Sequence, residues 1–497
     1  MPVTFHTREH FAPPTDGYGL LPFRFLDFDG RKFLVNEVGE HLFLEQATFE
    51  AFVSHHLAPS SSEYSDLKSK HFLFDSGADL PVSLLATKYR TKRSFLAGFT
   101  GLHIFVVSLR CDHSCHYCQV SRVSVNRQKY DMSEETAHRA IDLVFRSPAN
   151  PLKIEFQGGE PLLNFELIQL IVTEVEHRAA LDGRLVEFVI ATNLAFLSDE
   201  VLSFCRAHEV LISTSLDGPA FLHNANRPRP GNDSHEVATR SIERVREELG
   251  YDRVSALMTT SRLSLDHPIE IVDEYVARGF DHIFLRPVSP YGFALRTRNK
   301  TGYELDEFLS FYRTALAYII ELNRSGTFLV EDYAKILLTK ILTPFPTGYV
   351  DLQSPAGIGI GVAVYNYDGD VYVSDEARML AEMGDKSFRL GNVHQSSYEE
   401  LFLGEKLKSL IADTVIESLP VCADCAFQSY CGSDPLENFA TQGSVVGHRP
   451  TSHFHKRNFE IISHLIRLYY GDDPFLRPLF WSWINNRPVR DLVPGMS

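Results

Sequence analysis

Two adjoining stretches decide the fold: the apolar Gly101-Leu-His-Ile-Phe-Val-Val-Ser108 and the polar Cys111-Asp-His-Ser-Cys-His-Tyr-Cys118. A short apolar run of the first kind is typical of a buried β-strand. The three cysteines, at a C-x3-C-x2-C spacing, can bind three irons of a four-iron, four-sulfur cluster from one loop. The fourth iron then lacks a local thiolate and can bind a substrate or cofactor, which indicates chemistry rather than electron storage. The alternatives are a zinc knuckle, which usually pairs two C-x2-C units, or three unrelated core cysteines.

Strand-like and helical patterns alternate on both sides of the cysteine run. The predicted strands cover residues 103–108, 153–156, 186–191, 210–215, 254–260 and 282–285, with a helix between each pair. Six consecutive βα units predict an α/β fold whose parallel sheet curls into a partial (β/α)6 barrel over residues 101–302. The site of such a barrel lies at the carboxyl ends of its strands, and Cys111–Cys118 follows the first strand.

Polar segments also end the neighbouring strands. The second strand ends in Gly158–Glu160, where two glycines let a ligand approach the backbone and a carboxylate can pair with an ammonium group. Alone, such a segment is often only a turn. The fourth strand ends in Ser215–Pro219, whose Asp-Gly pair can equally form a plain turn. Asn193 ends the third strand, and Arg227 follows the fourth.

Together these segments resemble those of the radical S-adenosylmethionine (SAM) enzymes. The cysteine spacing, Tyr117 before the third cysteine, and Gly-Gly-Glu in the next βα unit carry the resemblance. It implies a [4Fe-4S] cluster on Cys111, Cys115 and Cys118, whose open iron chelates the amino and carboxylate groups of SAM. It also implies that Glu160 and its glycines hold the SAM amino group, that Ser215 contacts the ribose, and that Arg227 contacts SAM or the substrate. The implied cofactor-binding set is Tyr117, Gly158, Gly159, Glu160, Asn193, Ser215 and Arg227.

The segments that flank the barrel predict two smaller units. Residues 1–100 read as an α+β domain with three short strands and then helices, which resembles the PqqD-like element that captures a leader peptide as an added strand. A bare structural extension of the barrel is the alternative. Residues 303–346 carry a helical pattern and are predicted to bridge the barrel to a C-terminal domain over 347–497.

A second cysteine run, Cys422, Cys425 and Cys431, has the spacing C-x2-C-x5-C and resembles the core of the SPASM/twitch domain. That domain carries auxiliary iron–sulfur clusters in peptide-maturing relatives. Three further family cysteines are replaced by Ser354, Ser374 and Pro435, so a two-cluster domain is not expected. The resemblance leaves one auxiliary cluster with a non-cysteine ligand, drawn from Asp434, His448, His453 and His455. A zinc site or a degenerate structural loop is the alternative.

The composition of the 497-residue chain limits its partners. A net charge of −16 and a pI near 5.7 argue against broad nucleic-acid binding. No stretch has the length of a membrane span, and the first residues lack the apolar core of a signal peptide. We therefore expect a cytoplasmic protein without a membrane partner.

The resemblance implies a radical SAM enzyme that modifies a ribosomally made precursor peptide, using a 5′-deoxyadenosyl radical to abstract hydrogen and install a side-chain crosslink. The segments Cys118–Arg122 and Asp368–Arg378 resemble the radical SAM maturases of the His-Xaa-Ser peptide system. An electron donor such as flavodoxin or ferredoxin is implied. Oxidation of a protein side chain, as in anaerobic sulfatase maturation, action on RNA, and a non-catalytic iron–sulfur electron-transfer protein are the alternatives. The sequence identifies no catalytic acid or base.

Overall fold

The computed structural model describes residues 17–118, 126–292, 294 and 297–492. The chain divides into two compact units. Unit 1 comprises Met1–Ala97, Leu337–Thr347 and Ile416–Gly432, and unit 2 comprises Gly98–Ile336, Gly348–Val415 and Ser433–Ser497. The two cysteine runs therefore belong to different units, although the second run lies more than 300 residues from the rest of unit 1's N-terminal segment.

In the described part of its N-terminal segment, unit 1 contains two small antiparallel sheets and three α-helices. Its strands are β1 Tyr18–Leu20, β2 Phe23–Phe28, β3 Arg31–Asn36, β4 His41–Leu44 and β5 Leu73–Asp75, and its helices are Gln46–Val53, Ser62–Ser69 and Leu80–Lys92. Strands β2, β3 and β4 form a meander, while β1 pairs with β5. Alternating apolar residues on β3 and the first two helices build a core that includes Leu34, Phe52 and Phe72. The predicted three strands followed by helices are confirmed.

Unit 2 is built on one nine-stranded sheet. Its strands are β6 Leu102–Ser108, β7 Leu152–Gly158, β8 Val186–Ala191, β9 Leu211–Ser215, β10 Val254–Thr260, β12 Leu285–Pro287, β14 Val362–Tyr365, β15 Asp370–Tyr372 and β16 Arg389–Asn392, with β11 His282–Ile283 and β13 Val330–Glu331 in a separate pair. The order is β12-β10-β9-β8-β7-β6-β14-β15-β16. Strands β6 to β10 and β12 run parallel. The predicted α/β fold with six parallel strands is confirmed.

Helices lie between and after the strands of this sheet, as the alternating sequence pattern predicts. Those between the parallel strands are Arg127–Tyr130, Glu134–Val144, Phe165–Asp182, Asp199–Ala207, Ala220–Asn226, Ser234–Leu249 and Pro268–Ala277. Those that follow are Arg298–Thr301, Leu305–Arg324, Asp332–Leu342, Asp375–Glu382, Tyr398–Phe402, Glu405–Ala412, Pro435–Gln442, His453–Tyr470, Leu476–Asn485 and Val489–Leu492. Side chains of Ser133, Ser198 and Ser374 cap three of these helices.

Two details differ from the prediction. The predicted sixth strand, 282–285, is divided in the structure: His282 and Ile283 pair with β13, and the sixth parallel strand of the main sheet, β12, begins at Leu285. The second difference concerns the hairpin of β14 and β15, which turns at Asp368-Gly369. Strand β14 also pairs parallel with β6, so the hairpin extends the barrel sheet. Among the described residues, no helix has the length and apolar character needed to span a membrane.

Candidate active site

Backbone hydrogen bonds hold the first cysteine loop at both of its ends. At the end of β6 and β7, the Gly159 N–H donates to Ser108 O (2.8 Å) and the Glu160 N–H donates to Arg110 O (2.7 Å). On the other side, the Ser114 N–H donates to Pro228 O at 2.7 Å. The loop is therefore fixed between two βα units before any ligand is bound.

The two glycines at the end of β7 are required by the close approach of the cysteine loop. A Cβ atom on Gly158 would lie 1.9 Å from Ser108 O, and one on Gly159 would lie 2.4 Å from Arg110 O. Gly158 also has a φ of +145°, which other residues rarely adopt. The sequence interpretation linked these glycines to the approach of a ligand, whereas the structure shows that the protein's own backbone already demands them.

A cavity of about 230 Å³ opens at the carboxyl ends of the parallel strands. All three cysteines of the first run line it, together with Thr214 and Arg286. Six of the seven residues predicted to bind the cofactor also line it: Tyr117, Gly158, Gly159, Asn193, Ser215 and Arg227. The structure thus brings together, from four βα units, nearly the whole set that the sequence proposed.

Glu160, the seventh predicted residue, lies behind the cavity wall and is fully buried. Its carboxylate accepts hydrogen bonds from Thr192 Oγ1 (2.6 Å), the Asn193 N–H (2.8 Å) and the Leu162 N–H (3.0 Å). Burial raises the pKa of Glu160 to about 7. These bonds join the ends of β7 and β8, and contact with the SAM amino group stays a prediction.

Asn193 connects the end of β8 with the cysteine loop. Its side-chain amide donates to Asp112 Oδ1 at 2.9 Å and lies 3.8 Å from Cys111 Sγ. The ring of His113 also lies 2.9 Å from Asp112 Oδ1. Asp112 and His113 are thus engaged with each other and with Asn193, which orients the loop around the first cysteine.

Asp217 is a site residue that the sequence interpretation left as part of a turn. Its buried carboxylate accepts a short hydrogen bond from the Tyr117 hydroxyl and another from Arg227 Nε at 3.2 Å. The Arg227 guanidinium also stacks over the Tyr117 ring, 5.3 Å from its centroid. The pKa of Arg227 is raised by the neighbouring Tyr117 and Asp217, even though its burial lowers the pKa. The signal in the sequence was the pairing of an Asp-Gly turn with an arginine ten residues later.

The donor set fits an iron–sulfur cluster and a polar cofactor. Burial raises the pKa of the Cys115 thiol to about 12, so thiolates at this position need a cationic partner such as iron. Thr214 Oγ1, which faces the cavity, has no hydrogen-bond partner within the described part of the chain. An unpaired buried hydroxyl favours a ligand that carries polar groups, as SAM does.

The second cysteine run is held in a different way. Phe427, between Cys425 and Cys431, packs against Phe33 with ring centroids 6.0 Å apart. The Tyr430 hydroxyl donates to Gly39 O at 2.8 Å. The β2–β3–β4 meander of unit 1 therefore positions this run.

The surroundings of the second run are basic. Burial raises the pKa of Cys431 to about 12, while Lys340 acts in the opposite direction, and Arg24 does the same for Cys425. The candidates for a fourth ligand, Asp434, His448, His453 and His455, belong to unit 2. The auxiliary cluster and its fourth ligand therefore stay predictions.

Comparison with known proteins finds a family match within the barrel. Residues 105–274 match the family model described as the Radical SAM superfamily. A [4Fe-4S] cluster and SAM are the cofactors of this class.

Several curated relatives point towards maturation of peptides and proteins. The chain is 25% identical over 167 residues to the "Radical SAM cyclopropyl synthase TigE" of Paramaledivibacter caminithermalis. That alignment covers 31% of this chain and 34% of that protein. It is 22% identical over 351 residues to the "Serine-type anaerobic sulfatase-maturating enzyme" of Bacteroides thetaiotaomicron, covering 67% of this chain and 80% of that protein. An uncharacterized protein of Methanocaldococcus jannaschii is 32% identical over 115 residues, or 38% of its own length and 23% of this chain. The chain thus spans little more than a third of two of these relatives.

Solved structures show the same fold. One, titled "His6 tagged anSMEcpe with bound AdoMet", aligns with a TM-score of 0.62 at 19% identity and covers 76% of this chain and 97% of that one. Streptococcus suis SuiB bound to precursor peptide SuiA aligns with a TM-score of 0.50 at 14% identity and covers 86% of this chain and 98% of that one. At these identities the likeness establishes the architecture alone.

Proposed function

We propose that this protein is a peptide maturase that abstracts a side-chain hydrogen from a ribosomally made precursor peptide and installs a crosslink. The observation that carries the proposal is the cavity in which Cys111, Cys115 and Cys118 meet Ser215 and Arg227 at the ends of parallel strands. Relatives named for cyclopropyl synthesis and sulfatase maturation support a peptide or protein substrate.

The chain's own residues would hold and orient the cofactors. When bound, the cluster and SAM supply a reductive cleavage that yields methionine and a 5′-deoxyadenosyl radical. The loop Cys111–Cys118 holds the cluster, and the Tyr117–Asp217–Arg227 group supports one wall of the cavity. The remaining wall must exclude water and place one substrate C–H bond beside the radical, because unguided hydrogen abstraction would damage the protein.

A crosslink leaves the peptide two hydrogens lighter. One hydrogen atom leaves with 5′-deoxyadenosine, and the other leaves as a proton and an electron. We assign the electron to an auxiliary cluster on Cys422, Cys425 and Cys431, and the electron that starts the reaction to a flavodoxin or ferredoxin. An iron–sulfur centre suits this task because it accepts one electron at a time.

The N-terminal meander is the proposed site for a leader peptide. Strands β2 and β4 are its edges, and each has one neighbour in that sheet. Phe25 on β2 is 46% exposed, which leaves an apolar side chain available at this edge of the sheet. An extended leader peptide could add as a fourth strand at this edge.

The His-Xaa-Ser peptide system is the proposed biological setting. Of the two segments that carry this resemblance, residues 119–122 lie outside the described residues. Asp368–Arg378 forms the β14–β15 turn, β15 and the start of the helix Asp375–Glu382. The proposal therefore depends on the sequence resemblance of these segments.

Oxidation of a serine or cysteine on a protein is the second candidate. The serine-type sulfatase-maturating enzyme of Bacteroides thetaiotaomicron aligns over 67% of this chain, whereas TigE aligns over 31%. An aldehyde in the product, detectable with a hydrazide reagent, would identify this reaction instead of a crosslink. A serine substrate would become two hydrogens lighter, whereas a cysteine substrate would also exchange its sulfur for the oxygen of water.

The proposal is tested by anaerobic reconstitution with iron, sulfide, SAM and a strong reductant, followed by assay of 5′-deoxyadenosine. Co-expression with the short open reading frames encoded beside the gene then supplies the substrate. We expect one peptide to lose two hydrogens and to resist cleavage between the linked residues in tandem mass spectrometry. Absence of 5′-deoxyadenosine would favour the non-catalytic electron-transfer alternative.

A further inference from the structure

A second, smaller chamber lies in unit 2 next to the cavity that Cys111, Cys115 and Cys118 line, which is called the SAM cavity below. It has a volume of about 60 Å³, which is enough for about four to five water-sized positions and so for the end of one side chain. Arg286, the central residue of β12, lines both the chamber and the SAM cavity. On the neighbouring strand, Thr259 pairs with Arg286 and lines the SAM cavity. A group held in the chamber would therefore be close to the cofactor end of the sheet.

The chamber wall carries more negative than positive groups. Four carboxylates line it, from Asp351, Glu376, Asp434 and Glu437, against the two guanidinium groups of Arg286 and Arg457. Arg457 lies 3.8 Å from Glu437 and is thereby engaged. With all of these groups ionised, the described part of the lining has two negative charges in excess, which a single cation would reduce.

The carboxylates come from three separate parts of the chain, so their convergence is a tertiary feature. Asp351 lies in the short 3-10 helix Val350–Leu352, Glu376 in the first turn of the helix Asp375–Glu382, and Asp434 at the N-cap of the helix Pro435–Gln442. Burial and mutual repulsion raise the pKa of Glu376 to about 7 and also raise the pKa of Asp434 well above its ordinary value. The charged forms of these carboxyl groups thus lack sufficient compensation from the described residues.

Tyr291 provides an independent indication of a ligand. Its side chain is 2% exposed, and its hydroxyl has no hydrogen-bond partner among the described residues. The same hydroxyl is subject to the charges of all four carboxylates, which places it among them. A buried hydroxyl without a partner is costly, and its lone pairs can accept a hydrogen bond from a cationic N–H group.

Aromatic rings complete the chamber. Phe284, Tyr333 and Tyr349 pack together with centroid separations of 5.8 to 6.2 Å and line the same space. Aromatic faces stabilise ammonium and guanidinium groups and also pack against the aliphatic part of a lysine or arginine side chain. Carboxylates, an accepting hydroxyl and ring faces are together suited to a side-chain cation.

We propose that this chamber binds the cationic end of a lysine or arginine side chain of the peptide substrate and so determines which substrate residue is presented to the SAM cavity. The inference rests on the proposed function for the identity of the peptide, but the chamber itself needs neither cluster nor SAM to bind a cation. On this proposal, Asp434 contributes its carboxylate to the chamber and is not the fourth ligand of a cluster on the second cysteine run.

The test is binding of capped single amino acids to the full-length chain, measured by ligand-observed NMR without SAM or reductant. The ligands are N-acetyl-lysine and N-acetyl-arginine methylamides, with the norleucine and citrulline compounds as neutral counterparts of similar shape. We expect dissociation constants of about 1–10 mM for one or both cations and at least about 5-fold weaker binding of the neutral compounds. The preference between lysine and arginine identifies the substrate residue.

Three variants connect binding to the chamber. The double change Glu376→Gln and Asp434→Asn should weaken cation binding at least about 5-fold, and Tyr291→Phe should weaken it about 2- to 5-fold. Glu405→Gln is the matched control, because Glu405 also lies in the first turn of a helix but is exposed, and binding should not change. Thermal melts check folding, and Tyr291→Phe is measured alone if the double variant does not fold.

The outcomes separate this inference from the proposed function. Equal binding of lysine and norleucine compounds, no binding of either cation up to about 50 mM, or unchanged binding by the chamber variants would each overturn the inference. Failure to form 5′-deoxyadenosine would overturn the proposed function but leave a measured cation preference intact. Efficient modification of a peptide without lysine or arginine would overturn the chamber's role and leave the maturase proposal standing.

Discussion

The two cysteine runs differ in what surrounds them. Cys111–Cys118 lies at the ends of parallel strands, is bonded to two other βα units and opens into a cavity. Cys422–Cys431 is packed by aromatic residues against the unit 1 meander, with Arg24 and Lys340 as charged neighbours. The first arrangement leaves room for a cofactor beside the cysteines, whereas aromatic packing and two basic side chains border the second. The chemical role of three cysteines therefore depends on the residues that surround them.

The largest expected effect follows from removing the first run. Replacing Cys111, Cys115 and Cys118 by alanine should lower 5′-deoxyadenosine formation by at least about 1,000-fold, because no iron then binds SAM. Cys205→Ala is the control, since this buried cysteine lies on the helix Asp199–Ala207 away from both runs. Residual iron in the triple variant should equal the content of the second run. If iron falls to zero, the proposed auxiliary cluster is wrong.

Gly159→Ala should be nearly as severe although it removes no ligand. The added Cβ would lie 2.4 Å from Arg110 O, so the cysteine loop must move. We expect a loss of about 2–4 kcal/mol in unfolding free energy and a large loss of bound iron, measured by denaturant titration and iron analysis. Gly98→Ala is the control, because no atom lies within 4 Å of its added Cβ. Normal iron content in Gly159→Ala would show that the glycines are not needed to shape the loop.

Asp217→Asn should have a smaller effect, confined to the cavity wall. The neutral amide keeps the shape but leaves the buried Arg227 guanidinium without its anion. We expect SAM to bind about 10-fold more weakly, with iron content retained. Asp199→Asn removes an exposed partner of Arg244 and should change neither quantity. Unchanged SAM affinity in Asp217→Asn would show that the Asp217 carboxylate is not needed to shape the cavity wall and that Asp217 only forms part of the turn.

Alanine at Cys422, Cys425 and Cys431 should leave SAM cleavage within about 5-fold of the unaltered chain while abolishing the crosslinked product. The electron that leaves the peptide would then lack its acceptor, whereas the SAM cavity is in the other unit. Parallel assays of 5′-deoxyadenosine and of the modified peptide separate the two functions. Full crosslinking by this variant would show that the second run has only a structural role.

The smallest effect concerns a buried carboxyl remote from either run. Glu331 accepts hydrogen bonds from Tyr312 OH and the Leu285 N–H, and burial raises its pKa to about 7. Because this pKa is raised, its contribution to stability is complete below about pH 4.5 and is lost as the pH rises through about 7. Relative to Glu331→Gln, the unfolding free energy of the unaltered chain should fall by about 1–3 kcal/mol between pH 5 and 8. Parallel pH curves for the two chains would contradict this assignment.

Much of the barrel and of its site could be predicted because the signals are local. Strand β6 is a buried apolar run, and buried residues alternate along β7 and β9. The cysteine, Gly-Gly-Glu and Ser-Leu-Asp-Gly-Pro segments each lie at a strand end. Their positions at the carboxyl ends of adjacent strands follow from the topology. Six of the seven predicted cofactor residues therefore line one cavity.

The features that escaped prediction depend on contacts between distant segments. The pairing of β14 with β6, the packing of Phe427 against β3, and the bond between Asp217 and Tyr117 join residues about 100 to 400 positions apart. No local periodicity records such partners. The carboxylate chamber is of the same kind, since each of its acidic residues alone resembles an ordinary helix cap or loop residue.

Electron paramagnetic resonance during SAM titration tests the central difference between the two runs most directly. The measurement uses reduced, reconstituted protein in which either run has been replaced by alanines. We predict that SAM changes the spectrum of the chain that retains Cys111, Cys115 and Cys118, because SAM binds the open iron. The chain that retains only Cys422, Cys425 and Cys431 should show a spectrum unaffected by SAM. A SAM-dependent change in the second chain, or none in the first, would contradict the account.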